Sequence, residues 1–161
     1  MLDESKWLER EGRETMRSLT TIALGIAALL LTAAAPLAAE DAKEQEAKLI
    51  AVLKSAAPLK EKADACRDLG HVGSAEAVPV LAALLEDEKL AHMARTGLET
   101  IPGPAVEEAL RAALGRLKGL RLAGVIISLG VRRDEKAVEP LAKVLGDADA
   151  VVAQAAARAL G

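Results

Sequence analysis

The chain has 161 residues and a formal net charge of -3, enough length for one modest core and no excess of positive charge to draw it to nucleic acid. Phe and Tyr are absent and Trp7 is the single aromatic, so bases have no stacking platform and a β architecture lacks its usual residues. Alanine and leucine dominate instead, which points to an all-α fold packed by small residues and leucines.

Residues 1–15 are charged and show no clean apolar stripe. Leu19–Ala39 then runs for 21 residues without a charge, with Arg13 and Arg17 before it and Glu40-Asp41 after it. A basic flank, an apolar stretch and small residues at Pro36-Leu37-Ala38-Ala39 make an export signal, cut after Ala39. Cleavage after Ala35 also satisfies the small-residue rule through Ala33, but Pro36 would then follow the scissile bond. A start at Met16 gives a signal of ordinary length, and residues 1–15 are then an upstream start or a short cytoplasmic extension. An uncleaved anchor is the competing reading, because an uncharged run of this length can span a bilayer. In both readings the basic flank stays inside and the rest is exported, periplasmic or in the cell envelope. Residues 20–38 are expected as a helix detached from the rest, and the membrane is a partner only through this segment if it stays uncleaved.

Residues 40–57 read as an N-terminal cap, or half of an eroded repeat, with a helix over Glu40–Ser55 that sets Ala42, Leu49, Ile50 and Leu53 in an i, i+3, i+4 stripe and a solvated polar face of Lys43, Glu44, Glu46 and Lys48. Pro58 opens a helix over Leu59–Leu69, which Gly70 is expected to end as a C-cap. Ser74 is a candidate N-cap for a partner helix reaching Glu86, with Val78, Leu81, Leu84 and Leu85 inward. Leu90, Met93, Ala94 and Leu98 mark the next helix, and Ile101-Pro102-Gly103-Pro104 the plainest turn. Helices over Ala105–Leu117 and Leu120–Leu129 follow, the latter the most apolar. Asp134 caps a helix over Glu135–Leu145, and Gly146-Asp147-Ala148-Asp149 turns into Val151–Leu160.

These elements repeat. Ala123–Leu145 slides back 60 residues onto Ala63–Leu85, so that Leu129-Gly130 falls on Leu69-Gly70, Ala137-Val138 on Ala77-Val78, and Leu141 and Leu145 on Leu81 and Leu85. A weaker copy lies between them, and the chain closes on Leu160-Gly161. A period of about 30 residues, each unit a pair of short apolar-striped helices, is the mark of an α-solenoid. Residues 58–161 hold about three and a half such units.

The stretches 137–147 and 152–161 resemble HEAT-type repeats, closest to the short variety named after phycobilin lyases; the resemblance covers roughly residues 59–161. It implies an interaction surface lined by the second helix of each pair. By that analogy the outward row includes Glu76, Ala83, Glu108, Arg111, Lys136, Glu139 and Lys143, of which Arg111, Lys143, Lys136 and Glu108 are the candidate partner-binding residues. Residues 150–161 match only the first helix of a unit, and no polar capping unit follows. Further repeats or another domain are therefore expected beyond Gly161.

No catalytic constellation emerges. His71 and His92 stand apart from each other and from Cys66, a poor pattern for a metal site. Neither is followed by Glu, as the His-Glu ligands of the HEAT-like deoxyhypusine hydroxylases would require. A tetrapyrrole-binding lyase would want aromatics that the exported part lacks. Glu107-Glu108 and Asp147/Asp149 read as solvated helix starts, Ser74 and Ser128 have no base in pattern, and no Gly-rich phosphate loop occurs. Cys66, the single cysteine, excludes an intrachain disulfide and reads as a buried, inert thiol. The expectation is a non-enzymatic exported scaffold, with no cofactor and no metal, that binds another protein. The alternative is an accessory repeat module of a larger exported enzyme.

Overall fold

The computed structural model describes residues 39–161. The expected export segment, with its detached helix over 20–38, lies outside the described residues. Those residues are helix and turn, with no strand among them, so the fold is all-α. No helix among them is long and apolar enough to cross a membrane.

Helix α1 occupies residues 39–54 of the described chain. It is followed by α2 (Leu59–Val72), then α3 (Val78–Ala83), which tightens into a 3-10 turn over Leu84–Glu86. Next come α4 (Ala91–Thr100), α5 (Pro104–Leu114) and α6 (Gly119–Val131). A 3-10 turn over Glu135–Ala137 leads into α7 (Val138–Val144), and α8 spans Ala150–Leu160. Proline and aspartate set several of the starts. Pro104 opens α5 where a missing N–H costs nothing, and Asp134 and Asp149 accept the N–H groups of Lys136 and Val151. Between α4 and α5, Gly103 turns the chain at φ 106°, a region that side chains with a Cβ avoid.

Alternate helices pack together. α2 lies against α4, α4 against α6 and α6 against α8, while α3 packs on both α4 and α5. One continuous apolar core results, running from Leu53 and Cys66 through Leu81, Leu98, Leu110 and Ile126 to Leu141 and Val152.

Several expected features come out differently. Gly70 does not end its helix: α2 continues through it to Val72. A Cβ at Gly70 would lie 2.6 Å from Thr100 Oγ1 and 3.3 Å from the Cα of Gly97, so this glycine is where α4 crosses α2. Gly130 plays the same part for α8, with the Cα of Ala159 only 2.8 Å from where its Cβ would be. The Leu-Gly pair thus marks a close helix crossing. α3 begins at Val78, well after Ser74, whose hydroxyl instead accepts the N–H of Glu76. α5 stops at Leu114, although Leu117 beyond it is still buried. Val138, which the repeat offset matches to the inward Val78, is exposed, because α7 packs mainly on α8.

Glu46 was expected on a solvated face and is buried. Its Oε1 accepts from Ser74 N at 2.6 Å and from Ser74 Oγ at 2.9 Å, which ties α1 to the turn between α2 and α3. A carboxylate removed from water needs such donors, and this one has two.

Candidate interaction site

The turn between α6 and α7 leans over the first half of α5, and a cleft of about 290 Å³ opens between them. Its base is built by two ion pairs. Arg132, whose side chain is only 11% exposed, reaches from the end of α6 to Glu107 on α5, with Nε and Nη2 donating to Glu107 Oε1 at 2.9 and 2.6 Å. The same guanidinium closes the end of α4. Its Nη1 donates to the carbonyls of Glu99 and Ile101 at 2.9 Å each, and Nη2 reaches the Gly103 carbonyl at 3.3 Å. Helix ends leave carbonyls unpaired, and a planar fork of donors suits several at once.

The second pair joins Arg111 on α5 to Asp134 in the turn. Asp134 also accepts the Lys136 N–H at 3.1 Å, so one carboxylate fixes both the turn and the position of Arg111. Arg133 adopts φ 53° and is exposed, which directs the chain from α6 into the turn. Glu108, Arg133, Glu135 and Lys136 carry the outward-facing charges around this base.

Of the four candidate residues, the structure brings Glu108, Arg111 and Lys136 to this one cleft and leaves Lys143 out of it. Lys143 stands on α7, paired with Glu139 one turn away at 2.8 Å. Arg111 is no solvated member of an outward row: its side chain is 19% exposed and held by Asp134. Glu76, Ala83 and Glu139 are exposed and lie elsewhere.

Arg132 and Glu107 escaped the sequence reading as a pair. The available signal was an arginine directly after the most apolar helix, where a cap for a neighbouring helix end can reach. A second polar group was missed between α4 and α6. Ser128, fully buried, donates to Glu99 Oε1 at 2.5 Å and accepts from Arg95 Nη1 at 3.1 Å. A serine on the inner side of an apolar helix was the signal there.

Among the described residues no group of three or more His, Cys, Asp and Glu is placed to hold a metal ion. Cys66 is buried beneath α4, and burial, with the Asp87 carboxylate second, pushes its thiol up to about 11. His71 falls in the last turn of α2, and His92 is exposed on α4. No protein-family model and no curated protein sequence matches this chain.

Proposed function

We propose that this is an exported, non-enzymatic scaffold of HEAT-like helical repeats that binds another protein. What supports the solenoid reading is the stacking of α2, α4, α6 and α8 in one series, with the Leu-Gly pairs at 69–70 and 129–130 seated on the next helix of that series. The observation that carries the binding reading is the α5 cleft. Its ion pairs are engaged inward, while Arg133, Lys136, Glu108 and Glu135 project from a base that those pairs hold in place. Fixed backbone with outward mixed charge suits recognition of a polypeptide surface, since the ordering cost is met before binding.

The test is photo-crosslinking from position 136 in cell-envelope extract, comparing the otherwise native chain with one carrying Arg133→Glu and Glu135→Lys. A discrete cross-linked protein that disappears in the double variant, with the thermal midpoint shifted by no more than about 2 °C, is the expected result. The same cross-links at the same yield in both would refute the assignment of this cleft.

A further inference from the structure

The turn between α6 and α7 also borders a groove of about 220 Å³, which the end of α6, the start of α7 and the end of α8 complete. Arg133, Asp134 and Glu135 line both this groove and the α5 cleft, so the two are continuous across the turn. We propose that the groove takes a branched aliphatic side chain of the polypeptide that the α5 cleft binds. This names the chemistry of that partner and rests on the binding reading above.

The lining is mostly apolar. Leu129 and Leu141 are buried, Ala159 and Leu160 half-buried, and Val138 is 53% exposed. The first half of the molecule shows what fills such a place. At an offset of 60, Leu129, Arg133, Val138 and Leu141 match Leu69, Gly73, Val78 and Leu81. There Leu69, Val78 and Leu81 are buried, and Ile101, which follows α4, is fully buried in the same core. Its Cδ1 lies 3.0 Å from where a Cβ on Gly73 would be. Helix α8 supplies a smaller group. Its buried residues Val152, Ala155 and Ala156 keep the spacing of Ala94, Gly97 and Leu98 on α4, which sets Ala159 at the place of Ile101. Arg133, at the place of Gly73, is exposed. The groove is thus the space that an isoleucine fills in the first half and an alanine leaves open in the second.

A branched aliphatic side chain therefore suits this lining, and a charged one would lose its water against Val138, Leu141 and Leu160. The rim supplies the rest of the recognition. Arg133 and Glu135 are exposed and of opposite sign, and they stand on the stretch of chain that the groove shares with the α5 cleft. A segment that pairs with them brings its neighbouring side chain to the groove. An apolar anchor beside paired charges divides the work: burial adds affinity, and the charges set register.

The experiment is an NMR titration of the full chain, ¹³C-labelled at valine and leucine methyls, with acetyl-Glu-Ile-Lys-amide and acetyl-Glu-Ala-Lys-amide. The isoleucine peptide is expected to move the Val138 and Leu160 methyl signals saturably, with a Kd on the order of 1 mM. The methyls of Val78, the covered match of Val138, are expected to stay in place. The alanine peptide carries the same charges and is expected to bind about tenfold more weakly, since each extra carbon of isoleucine is worth a factor of about four when fully buried. Val138→Glu, a change at an exposed position, is expected to abolish the Leu160 shift while the thermal midpoint moves by no more than about 2 °C. Equal binding of the two peptides, an unaltered Leu160 shift in Val138→Glu, or no saturable shift would overturn the proposal. Val138 signals that change on dilution of the free chain would also overturn it, in favour of a second copy as the occupant. The titration reads the groove without the envelope partner. Its failure leaves the cross-link from position 136 standing, and failure of that cross-link leaves the titration standing.

Discussion

Residues 63–85 and 123–145 carry the same pattern at an offset of 60, yet they meet different surroundings. Their inner positions agree: Cys66 and Ile126, Leu69 and Leu129, Ala77 and Ala137, and Leu81 and Leu141 are all buried. Two other matched positions part. Val78 is 4% exposed and Val138 53%, while Leu85 is 1% exposed and Leu145 46%. The cause is the neighbour and not the residue: α3 is covered by both α4 and α5, whereas α7 packs mainly on α8. A repeat pattern therefore fixes which residues can be buried, and the next helix decides which are.

The largest expected effect breaks this comparison directly. Leu85→Ala should destabilise by about 2–5 kcal/mol, the range for a fully buried leucine whose cavity cannot collapse. Leu145→Ala, at the matching position, should cost under about 1 kcal/mol. Urea unfolding of both variants, followed by circular dichroism, gives the two numbers. Equal losses would mean that α7 is covered as α3 is.

A comparably large effect belongs to the two arginines of the α5 cleft. Arg132→Ala strands the half-buried Glu107 carboxylate and releases the α4 end carbonyls, so a loss of about 3 kcal/mol is expected. Arg111→Ala strands the Asp134 carboxylate, whose side chain is 5% exposed, but leaves the Lys136 N–H bound to it and no helix-end carbonyls released, and should cost about 2 kcal/mol. The same unfolding assay ranks them. A reversed order would show that Arg111, and not Arg132, holds the cleft together.

Much of the fold was legible because helical period and repeat offset are local signals. Val78, Leu81 and Leu85 read as core from spacing alone, and they are core. Glu108, Arg111 and Lys136 were singled out by the resemblance to HEAT-type repeats and not by the offset, and they line one cleft. What escaped has partners far along the chain. Glu46 meets Ser74 across 28 residues, Arg132 meets Glu107 across 25, and Arg95 meets Ser128 across 33. No periodicity encodes those pairings, which depend on how the helices cross. Gly70 was misread for a related reason. A glycine that lets another helix approach and a glycine that ends its own helix look the same in sequence.

The smallest effect sharpens the comparison at a position the two halves share, Asp87 and Asp147. Asp87 Oδ1 accepts the N–H groups of Lys89 and Leu90, at 2.8 and 2.9 Å, as the chain enters α4. Asp147 Oδ1 accepts one, from Asp149 at 2.8 Å, and Asp149 itself then caps α8. The first half thus loads on one carboxylate what the second divides between two. The N–H groups of Lys89 and then Leu90 hold the Asp87 carboxyl below its usual value. A depressed folded-state pKa means that its contribution is complete above the unfolded value, near 3.9, and is lost as pH falls through the folded one. Asp87→Ala should therefore cost about 1 kcal/mol at pH 7, as for other capping aspartates, and about the same at pH 5. The gap between variant and native chain should narrow only below about pH 4. Asp147→Ala should cost less than Asp87→Ala at neutral pH, because one N–H and not two loses its acceptor. Thermal melts of the native chain and both variants across this pH range decide it. A gap for Asp87→Ala that stays constant down to pH 2 would mean that the carboxylate charge contributes nothing to the turn.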